Sequence, residues 1–192
     1  EGDYSQAAFW IVAGILGDEM NCKNIYKDSL QGDKEIIEIV QRMGAMLEIS
    51  EKSVKVFPGK TKGTVIDISQ CPDIGPILTV LAALSEGETR IINAERLRIK
   101  ESDRITSIKT ELNKLGAKIE EDGDSLIIQG VSEFEGGVSV DSWNDHRIAM
   151  ALAIASTKCK YPILITGASA VRKSYPNFWN DFVAMGGKIG EI

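Results

Sequence analysis

Three stretches of the chain open on an aspartate and continue as long apolar runs: EGDYSQAAFWIVAGIL, CPDIGPILTVLAALSEG and NDHRIAMALAIAS. After the opening turn they carry few charges, a pattern that predicts helices surrounded by protein. Three further stretches, EIIEIVQRMGAMLEI, SIKTELNKLGAKIEE and FWNDFVAMGGKIGEI, pass from an amphipathic helix through a glycine into a short strand. In the middle one Ile105, Ile108, Leu112 and Leu115 recur at helical spacing, with charges on the other side. The closing glycines Gly44, Gly116 and Gly186 suit a left-handed C-cap. After Gly116, the segment GAKIEEDGDSLIIQG predicts two short strands joined by a turn at Asp122, Gly123 and Asp124.

Both patterns repeat with one period. The aspartates Asp3, Asp73 and Asp145 lie 70 and 72 residues apart, and the three glycines 72 and 70. One unit runs buried helix, strand, loop, amphipathic helix, strand, and then usually a second strand. Two full units follow Asp3, and a third stops after Ile189 without its final strand. Repeated units bury their apolar helices against one another, so the chain is expected to be a fragment, or one half, of a larger enzyme. It carries no initiator Met, and Asp3 already has the setting of a helix cap.

The formal net charge of −6 removes bulk attraction to nucleic acid or an acidic membrane, so neither is an expected partner and any anionic ligand must be held by a local cluster. Cys22, Cys71 and Cys159 form no CxxC pair and have a single histidine for company, which argues against a disulfide framework or a zinc site. None stands in an activating setting. No apolar run reaches the roughly 18 to 20 residues of a membrane span, and EGDYSQAAFW lacks the basic start of a signal peptide. A reducing cytoplasm is the expected location.

Charge gathers instead at the junctions of the repeat. Asp3, Asp73 and Asp145 are each placed to cap a helix, and for any one of them capping alone accounts for the carboxylate. Asp73 sits in QCPDIGP, where Pro72, Gly75 and Pro76 stiffen the turn, and a carboxylate fixed there can also serve as a general base. RLRIKESDRI packs Arg98, Lys100, Glu101, Asp103 and Arg104 into seven residues. It reads either as a solvated loop capped by Ser102 or Asp103, or as cations bracketing a helix start to bind phosphate or carboxylate. NDHRIAM holds the single histidine, His146, beside Arg147, whose guanidinium enters an apolar helix and needs an anionic partner. SAVRKSYPNFW places Arg172 and Lys173 before a helix opened by Pro176, and the corresponding stretch of the first unit is SLQGDKEI, with Asp33 and Lys34.

LRIKESDRI, NDHRIAMA and RKSYPNFW, in that order and with Asp73 upstream, resemble the C-terminal half of the 5-enolpyruvylshikimate-3-phosphate synthase family. EGDYSQAAF and SLQGD are similar to its middle region, so the resemblance covers nearly the whole chain. It implies an α/β enolpyruvyl transferase fold, an inside-out arrangement of βαβαββ units of about 70 residues, in a two-domain enzyme that closes over its substrates. By this resemblance residues 1–30 end the N-terminal domain and 31–192 form the C-terminal domain, lacking the first strand of the full chain. The implied reaction moves the enolpyruvyl group of phosphoenolpyruvate to the 5-hydroxyl of shikimate 3-phosphate and releases phosphate, with no metal or organic cofactor.

The resemblance assigns roles residue by residue. Asp73 is the acid/base at the 5-hydroxyl, Lys100 lies in the same region, and Glu101 stands near the phosphoenolpyruvate methylene. Arg104 and Arg147 hold the phosphoenolpyruvate carboxylate, with His146 and Lys173 beside that group or the departing phosphate. Gln6 is a shikimate-phosphate contact; it and Phe9 stand where some members carry serine and tyrosine. The missing N-terminal half normally supplies a lysine, arginines and a Ser-Ser-Gln stretch, so this chain alone is expected to be inactive. Two alternatives are the sister transferase that uses UDP-N-acetylglucosamine and a non-catalytic anion-binding module. KESDR, NDHR and KSYP favour the shikimate enzyme over the first, and paired carboxylates weigh against the second.

Overall fold

The computed structural model describes residues 1–190. Three helices, α1 (Tyr4–Leu16), α3 (Gly75–Ala83) and α5 (His146–Ser156), pack on one another at the centre. Every residue of α3 is buried, and α5 is buried from His146 to Ala155. The apolar runs that open on aspartate are therefore these central helices. Each fully buried Ile or Leu in them contributes about 1.5–3 kcal/mol, enough to bind three units into one core.

The outer helices are α2 (Ile36–Arg42), α4 (Arg104–Lys114) and α6 (Phe178–Ala184). On α4 the buried positions Ile105, Ile108 and Leu112 form the predicted stripe. All three outer helices end alike: Gly44, Gly116 and Gly186 have φ of +96°, +99° and +94°. The next amide closes the helix on a carbonyl five residues back, Ala45 on Val40, Ala117 on Leu112 and Gly187 on Phe182. A Cβ at φ near +95° is strained, which is why glycine holds these positions.

Strands β1 (Met20–Lys23), β2 (Leu47–Ser50) and β3 (Ser53–Val56) form an antiparallel sheet in the order β1-β3-β2. In the middle unit β4 (Val65–Asp67), β5 (Glu88–Ile92), β6 (Lys118–Asp122) and β7 (Ser125–Gln129) form a sheet ordered β4-β5-β7-β6, with β4 and β5 parallel. That unit reads βαβαββ, so the repeat begins with a strand rather than with the helix that stands out in sequence. The turn predicted between β6 and β7 is present, with Gly123 at φ +59°.

The third unit is broken. β8 (Phe134–Gly136) pairs in parallel with β10 (Cys159–Tyr161), and β9 (Ser139–Asp141) with β11 (Leu164–Thr166). Gly136 and Gly137 both take φ +71°, which interrupts the pleat, while Pro162 offers no N–H on the facing strand. The strand expected after Gly186 is not formed over residues 187–190; the rest of that segment lies outside the described residues. Its counterpart β6 pairs only with β7, the strand that follows it.

The expected division after residue 30 does not coincide with a break in the packing. β1 pairs with β3 from Met20↔Val56 to Lys23↔Ser53, and α1 packs against both α3 and α5. The first thirty residues share the core of the rest.

Candidate active site

The three aspartates that open the central helices divide in two. Asp3 and Asp145 cap as predicted, accepting the amides of Ser5 and Arg147 at 2.8 Å each. Asp73 does not cap. Pro72–Ile74 forms a short 3-10 turn leading straight into α3, whose second residue, Pro76, has no N–H to offer. The carboxylate of Asp73 is left for other partners and accepts from Lys100 Nζ at 3.0 Å and Arg104 Nη1 at 2.9 Å.

Arg104 is the hub. As the first residue of α4, with Asp103 capping that helix, it is carried into the interior and is 0% exposed. Its Nε and Nη2 donate to Asp145 at 2.8 and 3.1 Å, and Nη2 also donates to Glu101 at 2.6 Å. One guanidinium thus gathers Asp73, Glu101 and Asp145 from three separate segments. Burial lowers the Arg104 pKa, but hydrogen bonding and charge from Asp145, then Glu101 and Asp73, outweigh it and the net direction is up. Burial likewise raises Asp73, yet the bond from Lys100 and the charges of Arg147, Lys100 and Arg104 bring it below the usual carboxylate value. Asp73 is therefore ionised at neutral pH.

His146 and Arg147 occupy the first turn of α5. Arg147 Nη1 and Nη2 donate at 2.7 Å to the carbonyl and hydroxyl of Ser5, and the guanidinium lies 6.0 Å over the Phe9 ring. Its Nε is buried without a partner among the described residues, as is His146 Nδ1. Nδ1 lies 3.7 Å from Glu101 Oε1 and 3.9 Å from Asp145 Oδ1, too far for a hydrogen bond. Burial first, then the Arg147 charge, lowers the imidazole pKa, so the ring is neutral near pH 7. The structure therefore joins Asp73, Lys100, Glu101, Arg104, His146 and Arg147 at one place.

Lys173 reaches the same helix start from outside, donating to the carbonyl of Asn144. That carbonyl belongs to a turn in which Trp143 and Asn144 take φ of +54° and +51°. Glu111, 1% exposed, stabilises the turn by accepting from Trp143 Nε1 at 2.8 Å and from the Asp141 amide at 3.0 Å. Gln6 is placed differently: it lines a cavity of about 380 Å³ with Trp10, Asn21 and Tyr175, which none of the six joined residues lines.

Sequence reasoning missed Asp145 as a partner of Arg104, Ser5 as the anchor of Arg147, and Glu111. Asp145 was visible only as a cap, because 41 residues separate it from Arg104. Glu111 carried one signal, a carboxylate beside Ile108 and Leu112 on the buried side of α4. Glu101, Asp145 and His146 each offer a ligand atom within 4.8 Å of the others. Both Asp145 oxygens and one Glu101 oxygen already accept from Arg104, so the guanidinium supplies the positive charge that a metal would bring. None of the cysteines is a thiolate at neutral pH: burial pushes Cys71 up to about 12 and Cys22 and Cys159 to about 11.

Residues 1–182 match the family described as EPSP synthase (3-phosphoshikimate 1-carboxyvinyltransferase). The chain belongs to that family. The 3-phosphoshikimate 1-carboxyvinyltransferase of Clostridium perfringens (strain 13 / Type A) is 59% identical over 192 residues, covering 100% of this chain and 45% of the relative. That of Clostridium kluyveri is 56% identical over 191 residues, again covering 100% of this chain and 45% of the relative. Among solved structures, EPSP synthase from Acinetobacter baumannii has a TM-score of 0.86 at 29% identity, covering 97% of this chain and 46% of that one. The enolpyruvyl transferase NikO from Streptomyces tendae shares the fold, with a TM-score of 0.80 at 19% identity over 97% of this chain and 43% of that one. The enolpyruvyl transferase fold implied by the family resemblance is the fold observed, and this EPSP synthase family chain spans about 45% of the length of those curated relatives.

Proposed function

We propose that the protein to which this chain contributes transfers the enolpyruvyl group of phosphoenolpyruvate to the 5-hydroxyl of shikimate 3-phosphate, releasing phosphate. Family membership supports the reaction, and one feature of the site supports its location here. Of the five buried side-chain polar atoms without a partner among the described residues, three belong to residues of the charged junctions: Asp33 Oδ1, His146 Nδ1 and Arg147 Nε. Orphaned polar atoms are costly in a core and suit a place where a polar ligand binds.

In this reading Asp73 accepts the 5-hydroxyl proton as its oxygen bonds to C2 of phosphoenolpyruvate, and C3 takes a proton to give a tetrahedral intermediate. A proton then leaves the new methyl group as the bond to phosphate breaks, and the departing phosphate is protonated. Glu101, 3.7 Å from the neutral His146 ring, is the candidate for both proton transfers at carbon. Lys100, Arg147 and Lys173 bind the anionic groups. Arg104 holds the carboxylates in place, and any contact of its own with substrate competes with four bonds already made. The remaining half of the parent protein completes both substrate sites. A reducing cytoplasmic setting suits three unpaired cysteines.

Phosphate release by the full-length protein tests this, with phosphoenolpyruvate and either shikimate 3-phosphate or UDP-N-acetylglucosamine as acceptor. Release with shikimate 3-phosphate alone, lost in Lys100→Ala, is expected. Release only with the sugar nucleotide overturns the acceptor and keeps the fold. Silence with both overturns the enzyme and leaves an anion-binding module.

A further inference from the structure

Asp33 belongs to the first unit's version of the charged junction and has no part in the reaction above. It lies in a short 3-10 turn, Gly32–Glu35, that packs against α1 and against the turn carrying Asp73. The approach is close: a Cβ on Gly32 would come within 2.5 Å of the Gln70 carbonyl oxygen. Asp33 Oδ1 is buried there without a hydrogen-bond partner among the described residues. The charged groups that bear on it come from four other segments: Asp73 ahead of α3, Arg147 on α5, Asp3 ahead of α1, and Lys100 ahead of α4. The other acids of the junction are tied. Asp3 accepts from Ser5, Asp73 from Lys100 and Arg104, Glu101 from Arg104, and Asp145 from Arg104 and Ser102.

We propose that Asp33 is a proton-linked positioning residue of the anion site: its carboxylate balances Arg147 and Lys100, and it takes up a proton from solvent when an anionic substrate binds those cations. An incoming anion adds negative charge beside Asp33 and draws on the cations that offset it. Of the junction's carboxylates, Asp33 is the one that accepts no hydrogen bond among the described residues, so its protonation weakens none. Burial, then Asp73, raises its pKa to about 6, with Arg147 and Lys100 acting in the opposite direction, so a modest further rise brings protonation to neutral pH.

The inference rests on the reading of this site as an anion site, and its test does not require turnover. Titration of the full-length protein with inorganic phosphate near pH ~7.5, in two buffers of different ionisation enthalpy, counts the protons taken up. For a rise of about one unit above 6 the parent is expected to take up roughly 0.2 of a proton per site, and Asp33→Asn much less. Parent affinity is expected to weaken with rising pH by up to about tenfold per unit, and that dependence flattens in the variant. Equal uptake by the two proteins overturns the proposal, as does a parent that binds phosphate without uptake or does not bind it. Where Asp33→Asn does not fold, Asp33→Ser takes its place. Proton uptake as expected in a protein that fails the enolpyruvyl transfer assay overturns the reaction and leaves this linkage standing.

Discussion

Arg98 and Arg104 stand six residues apart in one sequence motif, and each is bonded to three acidic side chains. Arg98 donates to Asp103, Glu121 and Asp124 at 3.2, 2.7 and 2.9 Å. Arg104 donates to Asp73, Glu101 and Asp145 at 2.9, 2.6 and 2.8 Å. The Arg98 side chain is 30% exposed and that of Arg104 is 1% exposed. Water and salt screen the first set, and its partners lie on β6, the following turn and the start of α4. The second set is shielded, and its partners are the residues from which the candidate site is built. Equal charge at equal spacing thus gives a surface clasp in one place and an organised site in the other, and burial makes the difference.

The largest expected effect comes from breaking the buried hub. Arg104→Met leaves Asp73, Glu101 and Asp145 facing one another without their cation, and should cost about 3–5 kcal/mol of stability in urea unfolding of the full-length protein. A loss no larger than that of Arg98→Ala would end the contrast between the two arginines. Asp73→Asn sharpens the separation of function from fold. It should lower kcat about 10²- to 10⁴-fold in the phosphate-release assay, since a proton acceptor becomes a neutral amide. Its unfolding midpoint should move far less than that of Arg104→Met, because Asp73 caps no helix and keeps a hydrogen-bonding oxygen.

Glu111→Gln tests whether the turn at Trp143 and Asn144 positions the site. The amide has a single acceptor oxygen for three donors, Lys114 Nζ, the Asp141 amide and Trp143 Nε1, so a loss of about 1–3 kcal/mol is expected, together with a change in Trp143 fluorescence. Unchanged fluorescence and stability would remove Glu111 from the account.

Two carboxyl groups give opposite pH signs. Asp145 has a lowered pKa: burial raises it, and hydrogen bonds and charge from Arg104, the Arg147 amide and Ser102 outweigh that. Its stabilisation is therefore present above the unfolded value and is lost as pH falls through the lower folded value. Asp33, raised to about 6, contributes the reverse: its share is present below the unfolded value of 3.8 and is lost as pH rises through about 6. Asp33→Asn should thus be more stable than the parent at neutral pH, by about 1 kcal/mol once solvent screening of a partly exposed group is allowed for, and no more stable near pH ~4. A pH-independent difference in thermal midpoint would contradict this. The smallest effect is that of Arg98→Ala, below about 1 kcal/mol and shrinking with added salt.

The period of the chain, its three buried helices and its three glycine C-caps could all be read from apolar spacing and from Gly44, Gly116 and Gly186. These features follow from local rules, since a helix buries the face its sequence makes apolar and φ near +95° excludes most side chains. The interruption of the third unit's strands was present as Gly136, Gly137 and Pro162, but only the pairing gives those residues their effect. The site residues were named in sequence by type and motif, and six of them do meet; Gln6 faces a different cavity. What reading the chain could not supply was the role of each charge. Asp3 and Asp145 cap while Asp73, in an equivalent place, is left free by a proline turn. Arg104 enters the core while Arg98 stays near solvent. Identity and spacing along the chain determined the scaffold and its chemical inventory. Burial and long-range pairing determined which carboxylates are ionised, which cations are engaged and which polar atoms remain open to a ligand, because those energies depend on distance and dielectric between segments far apart in sequence.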